Sequence, residues 1–355
     1  MEIQGGARKV DATLIPTPAM ESTAMRSATK DARKHIRAEF ARRLREFPGA
    51  CVALVNTRDH QTPPLNFRFI EKCVLGEGVY QAGDNTILGC TQCRPHMGQG
   101  IGCEYTQKCD CLEYAAVDER RLNEQQREMF ERGETASLPK RFPYFGPTSA
   151  TPGCLVKSYL DSRNCIYECN QRCPCGPICK SRVVQKGRQV ELEIFKTVER
   201  GWGLRCNKII RKGQFIDTYR GEIITNEEAE KREESSGASK ESYLYNLDKF
   251  PEIEDPYVID GEFMGGVTRF INHSCDPNCR QYTVSYNKND ARIYDLAFFA
   301  VRDIAAKEEL TFDYLDKDEE EAGNDVVING SQRQDGDDMF LCRCGAKNCR
   351  RTLWK

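Results

Sequence analysis

The chain has 355 residues, a formal net charge of −2 and 19 cysteines. That length gives ample core for independent folding, and the near-neutral charge excludes a globally basic nucleic-acid binder. No basic start followed by an apolar run resembles a secretory signal and no window approaches the roughly 18 to 20 apolar residues that cross a bilayer, so an intracellular, reducing setting is expected, where clustered thiols bind metal in preference to forming disulfides.

Residues 1 to about 30 mix Gly, Ser, Thr, Ala and Pro without apolar periodicity and read as a mobile leader. From Lys30 to Phe47 the spacing of Ile36, Phe40, Leu44 and Phe47 among five arginines predicts a basic amphipathic helix closed by "FPG", docked on its own domain. A Cys-rich region runs from Cys90 to Cys179 and is split by a charged stretch, Asp118 to Gly133, expected to be a solvated helix or a loop. Beyond it the runs become strand-like: "VELEIF" alternates Val190, Leu192 and Ile194 against Glu191 and Glu193, and "GQFIDTYRGEII" and "IYDLAFFAVRDI" are β-branched and aromatic. "NEEAEKREE" predicts a helix capped by Thr225 or Asn226. Residues 316–338 carry nine acids and predict a disordered acidic insertion, after which "CRCGAKNC" brings cysteines back.

The first thiol set is Cys90, Cys93, Cys103, Cys109, Cys111, Cys169, Cys173, Cys175 and Cys179. Nine is not a multiple of the four ligands of a structural zinc. Either two ordinary sites leave a thiol spare, or thiolates bridge a compact three-metal cluster, as the C-x-C pairs allow. The second set, Cys342, Cys344 and Cys349, is one thiol short, and Cys275 in "RFINHSCDPNC" is a natural donor. Cys51, Cys73, Cys154, Cys165, Cys206 and Cys279 remain as free thiols.

"RGWG" (200–203), "GEIIT" (221–225), "RFINHSCDPN" (269–278), "ELTFDY" (309–314) and "CRCGAKNCRRTLW" at the end stand in collinear order. Together with the nine-cysteine segment they resemble the SET-domain protein lysine methyltransferases of the suppressor-of-variegation class, which methylate lysine 9 of histone H3, and the chain looks like the fungal members. The resemblance implies a mainly β fold with short helices (α+β): small β-sheets with a pseudoknot, stabilised by zinc-bound pre-SET and post-SET segments. The implied divisions are 1–64, a leader with the basic helix; 65–87, a connector; 88–182, the pre-SET zinc cluster; 190–315, the SET catalytic domain; 316–338, the acidic insertion; and 339–355, the post-SET segment.

The resemblance also implies four zinc ions. Three would lie in a nine-thiolate, bridged cluster and one would be held by Cys275 with Cys342, Cys344 and Cys349. S-adenosyl-L-methionine is the implied cofactor, bound by Arg200, Gly201, Trp202, Tyr243, Arg269, Asn272, His273 and Trp354. Tyr243 and Tyr314 are the implied walls of the lysine channel, and Phe312 is the residue that sets how many methyl groups are added. The implied partners are the histone H3 tail and chromatin in the nucleus, at heterochromatin, with no membrane and no direct sequence-specific nucleic-acid binding. Alternatives are a non-catalytic, zinc-scaffolded chromatin-binding module, or a methyltransferase acting on another histone or non-histone lysine.

Overall fold

The computed structural model describes residues 30–91, 93, 110–112, 115–162, 164–236, 243–315 and 341–353. The helix Lys30–Glu46 turns Phe40 and Leu44 into the core, with Phe47 just beyond its end, and leaves Lys34, Arg42 and Arg45 exposed. It stops before Pro48 and Gly49; the glycine holds φ at +92°, a left-handed value that favours glycine, and any Cβ there would press on the Arg188 carbonyl at 3.2 Å.

That helix packs against the edge of a five-stranded sheet ordered Val52–Val55, Leu192–Lys196, Trp202–Cys206, Glu309–Phe312, Asn272–His273. The outer pairs are parallel and the inner ones antiparallel. A second sheet orders Val74–Leu75, Glu222–Ile224, Val258–Asp260, Leu244–Asn246, and a third orders Ile166–Tyr167, Cys279–Ser285, Asp295–Ala300, Phe215–Tyr219. The run "GQFIDTYRGEII" is therefore two strands in two sheets, broken at Arg220 and Gly221, where a Cβ would meet the Asp260 carbonyl oxygen at 2.2 Å.

Asp295–Ala300 shows how a period of two builds two cores from one strand. Leu296, Phe298 and Ala300 face the main core with Leu192, Ile194, Leu204 and Leu310, while Ala297 and Phe299 face a second core with Tyr144, Tyr159 and Tyr282. Both faces are dry, and each such large side chain contributes about 1.5 to 3 kcal/mol by burial. Asp217, fully buried mid-strand, is held by Arg188 at 2.8 Å and Arg220 at 2.9 Å.

The alternation expected for "VELEIF" fails at Glu193. Its side chain is buried, because Arg205 reaches it at 2.9 Å and Lys307 at 3.0 Å from neighbouring elements. Glu124–Glu131 is the helix in the charged stretch, with an Asn123–Gln126 capping box, and Asn226–Ser236 is capped by the Thr225 hydroxyl, which accepts from Glu228 N–H at 3.3 Å. The acidic insertion lies outside the described residues. Among the described residues no helix is long and apolar enough to cross a membrane.

Candidate active site and thiol centres

The "NHSC" segment and the "ELTFDY" strand run side by side: Asn272 lies opposite Thr311, and His273 opposite Phe312. This pairing brings two motifs, far apart in sequence, to one sheet edge. Beside them the Thr197–Gly201 turn is braced by the Thr197 hydroxyl, which donates to the Gly201 carbonyl at 3.1 Å and accepts from Arg200 N–H at 2.9 Å. Gly201 has φ +64°, and no protein atom comes within 4 Å of where its Cβ would be.

Four hydrogen bonds interlock there. Arg200 donates to the His273 carbonyl at 3.0 Å and to Glu309 at 2.6 Å; the Asn272 amide donates to Glu309 at 2.8 Å and to the Trp202 carbonyl at 3.1 Å. Glu309 is the hub; it begins "ELTFDY" and Gly203 ends "RGWG", yet neither is among the candidate site residues. A Cβ on Gly203 would strike the Glu309 carboxylate at 2.8 Å, so the glycine makes room for the hub.

His273 is buried. Its Nδ1 accepts the Tyr314 N–H at 3.2 Å, which puts the ring proton on Nε2, 3.3 Å from the Cys275 thiol. Burial pushes its pKa down to about 4; Asp313 opposes this, and the charges of Arg350 and Arg200 reinforce it. The imidazole is therefore neutral at physiological pH.

The aromatic wall follows. The Phe312 ring is 4.8 Å from Tyr314 and 4.9 Å from Phe298. Tyr314 donates its hydroxyl to the Ile271 carbonyl at 3.0 Å. Arg269 stacks on Tyr243 at 4.4 Å. Tyr219, which no motif flags, donates to the Tyr243 carbonyl at 2.7 Å and belongs to the same wall; its place just before "RGE" is the only sequence signal it carries. The structure thus gathers Arg200, Trp202, Asn272 and His273 with Glu309, and sets Phe312 and Tyr314 alongside. Trp354 lies outside the described residues.

The thiols form three groups among the described residues: Cys90, Cys111, Cys169 and Cys173; Cys169, Cys175 and Cys179; and Cys275, Cys342, Cys344 and Cys349. A tetrahedral zinc with bonds of about 2.3 Å places its thiolates roughly 3.8 Å apart. Here Cys90 and Cys173 are 3.5 Å apart, Cys111 and Cys173 3.8 Å, Cys169 and Cys179 3.9 Å, and Cys275 and Cys342 3.9 Å. The donor sets fit zinc, and Cys169 belongs to two of them, as a bridging thiolate must. Cys93 is buried in the same cluster core, whereas Cys103 and Cys109 lie outside the described residues. The tail carries further ties to the site: Asn348 donates to the Cys275 carbonyl at 2.9 Å, and Arg350 pairs with Asp313.

A SET-domain family model matches residues 201–315 and a Pre-SET motif model residues 45–182. The chain is 42% identical over 318 residues to the H3 lysine-9 specific histone-lysine N-methyltransferase KMT1 of Fusarium mangiferae, covering 85% of this chain and 88% of that protein. It is 39% identical over 316 residues to the H3 lysine-9 specific enzyme dim-5 of Neurospora crassa, with the same coverage of 85% and 88%. The solved structure of the Neurospora SET domain protein DIM-5, a histone lysine methyltransferase, matches with a TM-score of 0.64 at 38% identity, over 76% of this chain and 96% of that one. KRYPTONITE, solved with mCHH DNA, an H3(1-15) peptide and SAH, matches with a TM-score of 0.59 at 25% identity, over 86% of this chain and 52% of that one.

Proposed function

The chain belongs to the SET-domain histone-lysine N-methyltransferases that carry a pre-SET domain, and from that premise we propose that it methylates lysine 9 of the histone H3 tail to the di- and trimethyl states. The observation that carries this reading is the parallel pairing of Asn272–His273 with Thr311–Phe312 beside the four-thiol site of Cys275. One segment thereby serves a polar cradle, an aromatic wall and a metal-held tail.

The cradle fits the proposed cofactor. Arg200, Asn272 and the backbone around Trp202 and His273 offer charge and hydrogen bonds next to the open space at Gly201, which suits the polar ends of S-adenosyl-L-methionine; Trp354 would complete the enclosure. That cofactor supplies an electrophilic methyl group. The chain's own task is to present a neutral amine in line with it. A lysine with a pKa near 10.4 costs about 4 to 5 kcal/mol to hold deprotonated at pH 7. The Phe312, Tyr314 and Tyr243 rings disfavour the ammonium by excluding water, and their geometry holds the amine in position. Glu309 keeps Arg200 and Asn272 fixed, and neutral His273 fixes the backbone of Tyr314.

We assign three zinc ions to the nine thiolates of the pre-SET segment and a fourth to Cys275 and the tail. The setting is nuclear chromatin. Heterochromatin formation and gene silencing would be the outcome, without membrane or sequence-specific DNA contact. The deciding experiment is transfer of labelled methyl groups to H3 tail peptides, each with one lysine replaced. Label lost only when lysine 9 is replaced is the expected result; label that survives that replacement would assign a different lysine, and no label on any peptide would favour a non-catalytic module.

A further inference from the structure

Arg269 lies within the short helical turn Val267–Phe270. Its guanidinium carbon lies 4.1 Å from the ring centre of Phe67 and 4.4 Å from that of Tyr243. Two aromatic faces thus clamp a planar charge. Its Nε is buried without a hydrogen-bond partner, and among the described residues no carboxylate pairs with it.

The clamp is anchored from behind. Phe67 packs edge-on to Phe69 at 5.2 Å, and Phe69 meets Phe40 at 5.7 Å and Phe47 at 5.4 Å, so the N-terminal helix backs the stack. Arg43 of that helix donates to the Leu65 and Phe67 carbonyls at 2.6 and 3.2 Å. The neighbouring strand Arg68–Phe69 pairs in parallel with Met264–Gly265, just ahead of the turn that bears Arg269. The charge is therefore fixed in place.

Its field falls on the channel wall. Burial raises the pKa of the Tyr219 phenol, the charge of Arg269 is the largest influence opposing that rise, and Asp260, Tyr243 and Tyr314 act on the same hydroxyl. The other charges around this space are already engaged: Asp260 by Arg232 at 2.7 Å, and Arg220 by Asp217 at 2.9 Å.

We propose that Arg269 is a positioning residue acting through space, a fixed positive charge beside the channel that disfavours the ammonium form of the substrate lysine, whose proton passes to water before methyl transfer. Like charges at close range lower an amine's pKa, and at an effective dielectric near 20 the effect at about 10 Å is on the order of one pH unit. This rests on Tyr243 and Tyr314 being the channel walls.

The test is the pH dependence of kcat at saturating cofactor and H3 tail peptide, which reports groups titrating in the bound complex, for the natural chain, Arg269→Met and Arg269→Lys, with zinc content and circular dichroism as folding controls. The acidic limb is expected to move up by about one pH unit in Arg269→Met, whatever the height of its high-pH plateau, and to stay near its natural position in Arg269→Lys. A uniform fall at every pH overturns the proposal, since lost packing alone does not move the limb. Should Arg269→Met not fold, Arg269→Gln is read the same way. Natural rates in Tyr243→Phe and Tyr314→Phe at all pH values would instead sink the channel assignment itself.

Discussion

Arg350 grips Asp313 with both prongs of its guanidinium, Nη1 to Oδ2 at 2.7 Å and Nη2 to Oδ1 at 2.6 Å. Asp313 sits between Phe312 and Tyr314, so the pair ties the C-terminal tail to the strand that carries the aromatic wall. Both side chains are about nine-tenths buried, at 10% and 13% exposed. Two-pronged, charge-assisted bonds of this kind are the strong ones.

Arg350→Ala should therefore weaken tail docking by about 2 to 3 kcal/mol while leaving the main core, which lies elsewhere, intact. Hydrogen exchange should rise across residues 341–353, methyl transfer should fall at least tenfold, and global unfolding should hardly change. A double-mutant cycle with Asp313→Ala checks the pairing: if the two losses simply add, the ion pair is not what holds the tail.

Metal removal should proceed in two stages. The four thiols of the tail site are only half-buried, whereas Cys90, Cys169, Cys173, Cys175 and Cys179 are buried. A chelator should first withdraw about one zinc of four, abolishing activity with circular dichroism unchanged, and only later unfold the pre-SET segment. Cys275→Ala should reproduce the first stage. Elemental analysis that finds two ions or fewer in fully active protein would rule out the bridged cluster.

Much of this was legible in the chain because chemistry with fixed spacing leaves a local mark. The thiol sets, the helix from Lys30 and the Thr225 cap are all short-range patterns, and the collinear motifs placed Asn272, His273 and Tyr314. What stayed hidden depends on partners far away in sequence. Glu193 reads as a solvent-facing member of an alternating strand, and only Arg205 and Lys307 bury it. Asp217 interrupts an apolar run for the sake of Arg188 and Arg220. Glu309 and Asp313 stand inside a quoted motif, but their roles need Arg200, Asn272 and Arg350 brought from elsewhere in the chain.

Glu309→Gln tests the hub. The substitution keeps the shape but removes the charge that holds Arg200 at 2.6 Å and Asn272 at 2.8 Å. The KM for S-adenosyl-L-methionine should rise about tenfold, equivalent to about 1.4 kcal/mol, with kcat changed less. Unaltered cofactor binding by calorimetry would show that the cradle does not depend on Glu309.

Acid should loosen the N-terminal helix early. Hydrogen bonds from Arg42 and then Arg43 hold the Glu39 carboxyl at about 2, below its ordinary 4.5, against a small opposing effect of burial. A depressed carboxylate pKa contributes stability that is fully present above the ordinary value and is lost as pH falls from about 4.5 towards 2. Solvent screening at this partly exposed site keeps the effect modest. Because Arg43 also holds the Leu65 and Phe67 carbonyls, exchange should rise in residues 30–46 and 65–67 together across that window. In Glu39→Gln the pH dependence there should vanish; equal protection at both ends of the window in the natural chain would contradict the assignment.

The number of methyl groups added should be set at Phe312. Each added methyl enlarges the amine, which must still rotate into line with the next incoming methyl, so free volume beside it limits the product. Phe312 is 7% exposed, packed edge-on against Phe298 and tilted against Tyr314. A tyrosine there would add a hydroxyl that crowds the amine and holds water, whereas phenylalanine leaves room. The natural chain should therefore accumulate di- and trimethylated peptide, and Phe312→Tyr should shift the product towards monomethyl lysine by roughly tenfold in the ratio of later to first transfer, about 1.4 kcal/mol, with circular dichroism unchanged. Phe312→Leu, which keeps the site apolar while opening a cavity, separates crowding from packing: it should lose stability by about 2 kcal/mol or more but keep the higher methylation states. Mass spectra of an H3 peptide after long incubation decide the matter, because a natural enzyme that stops at one methyl group would place the channel somewhere other than beside Phe312.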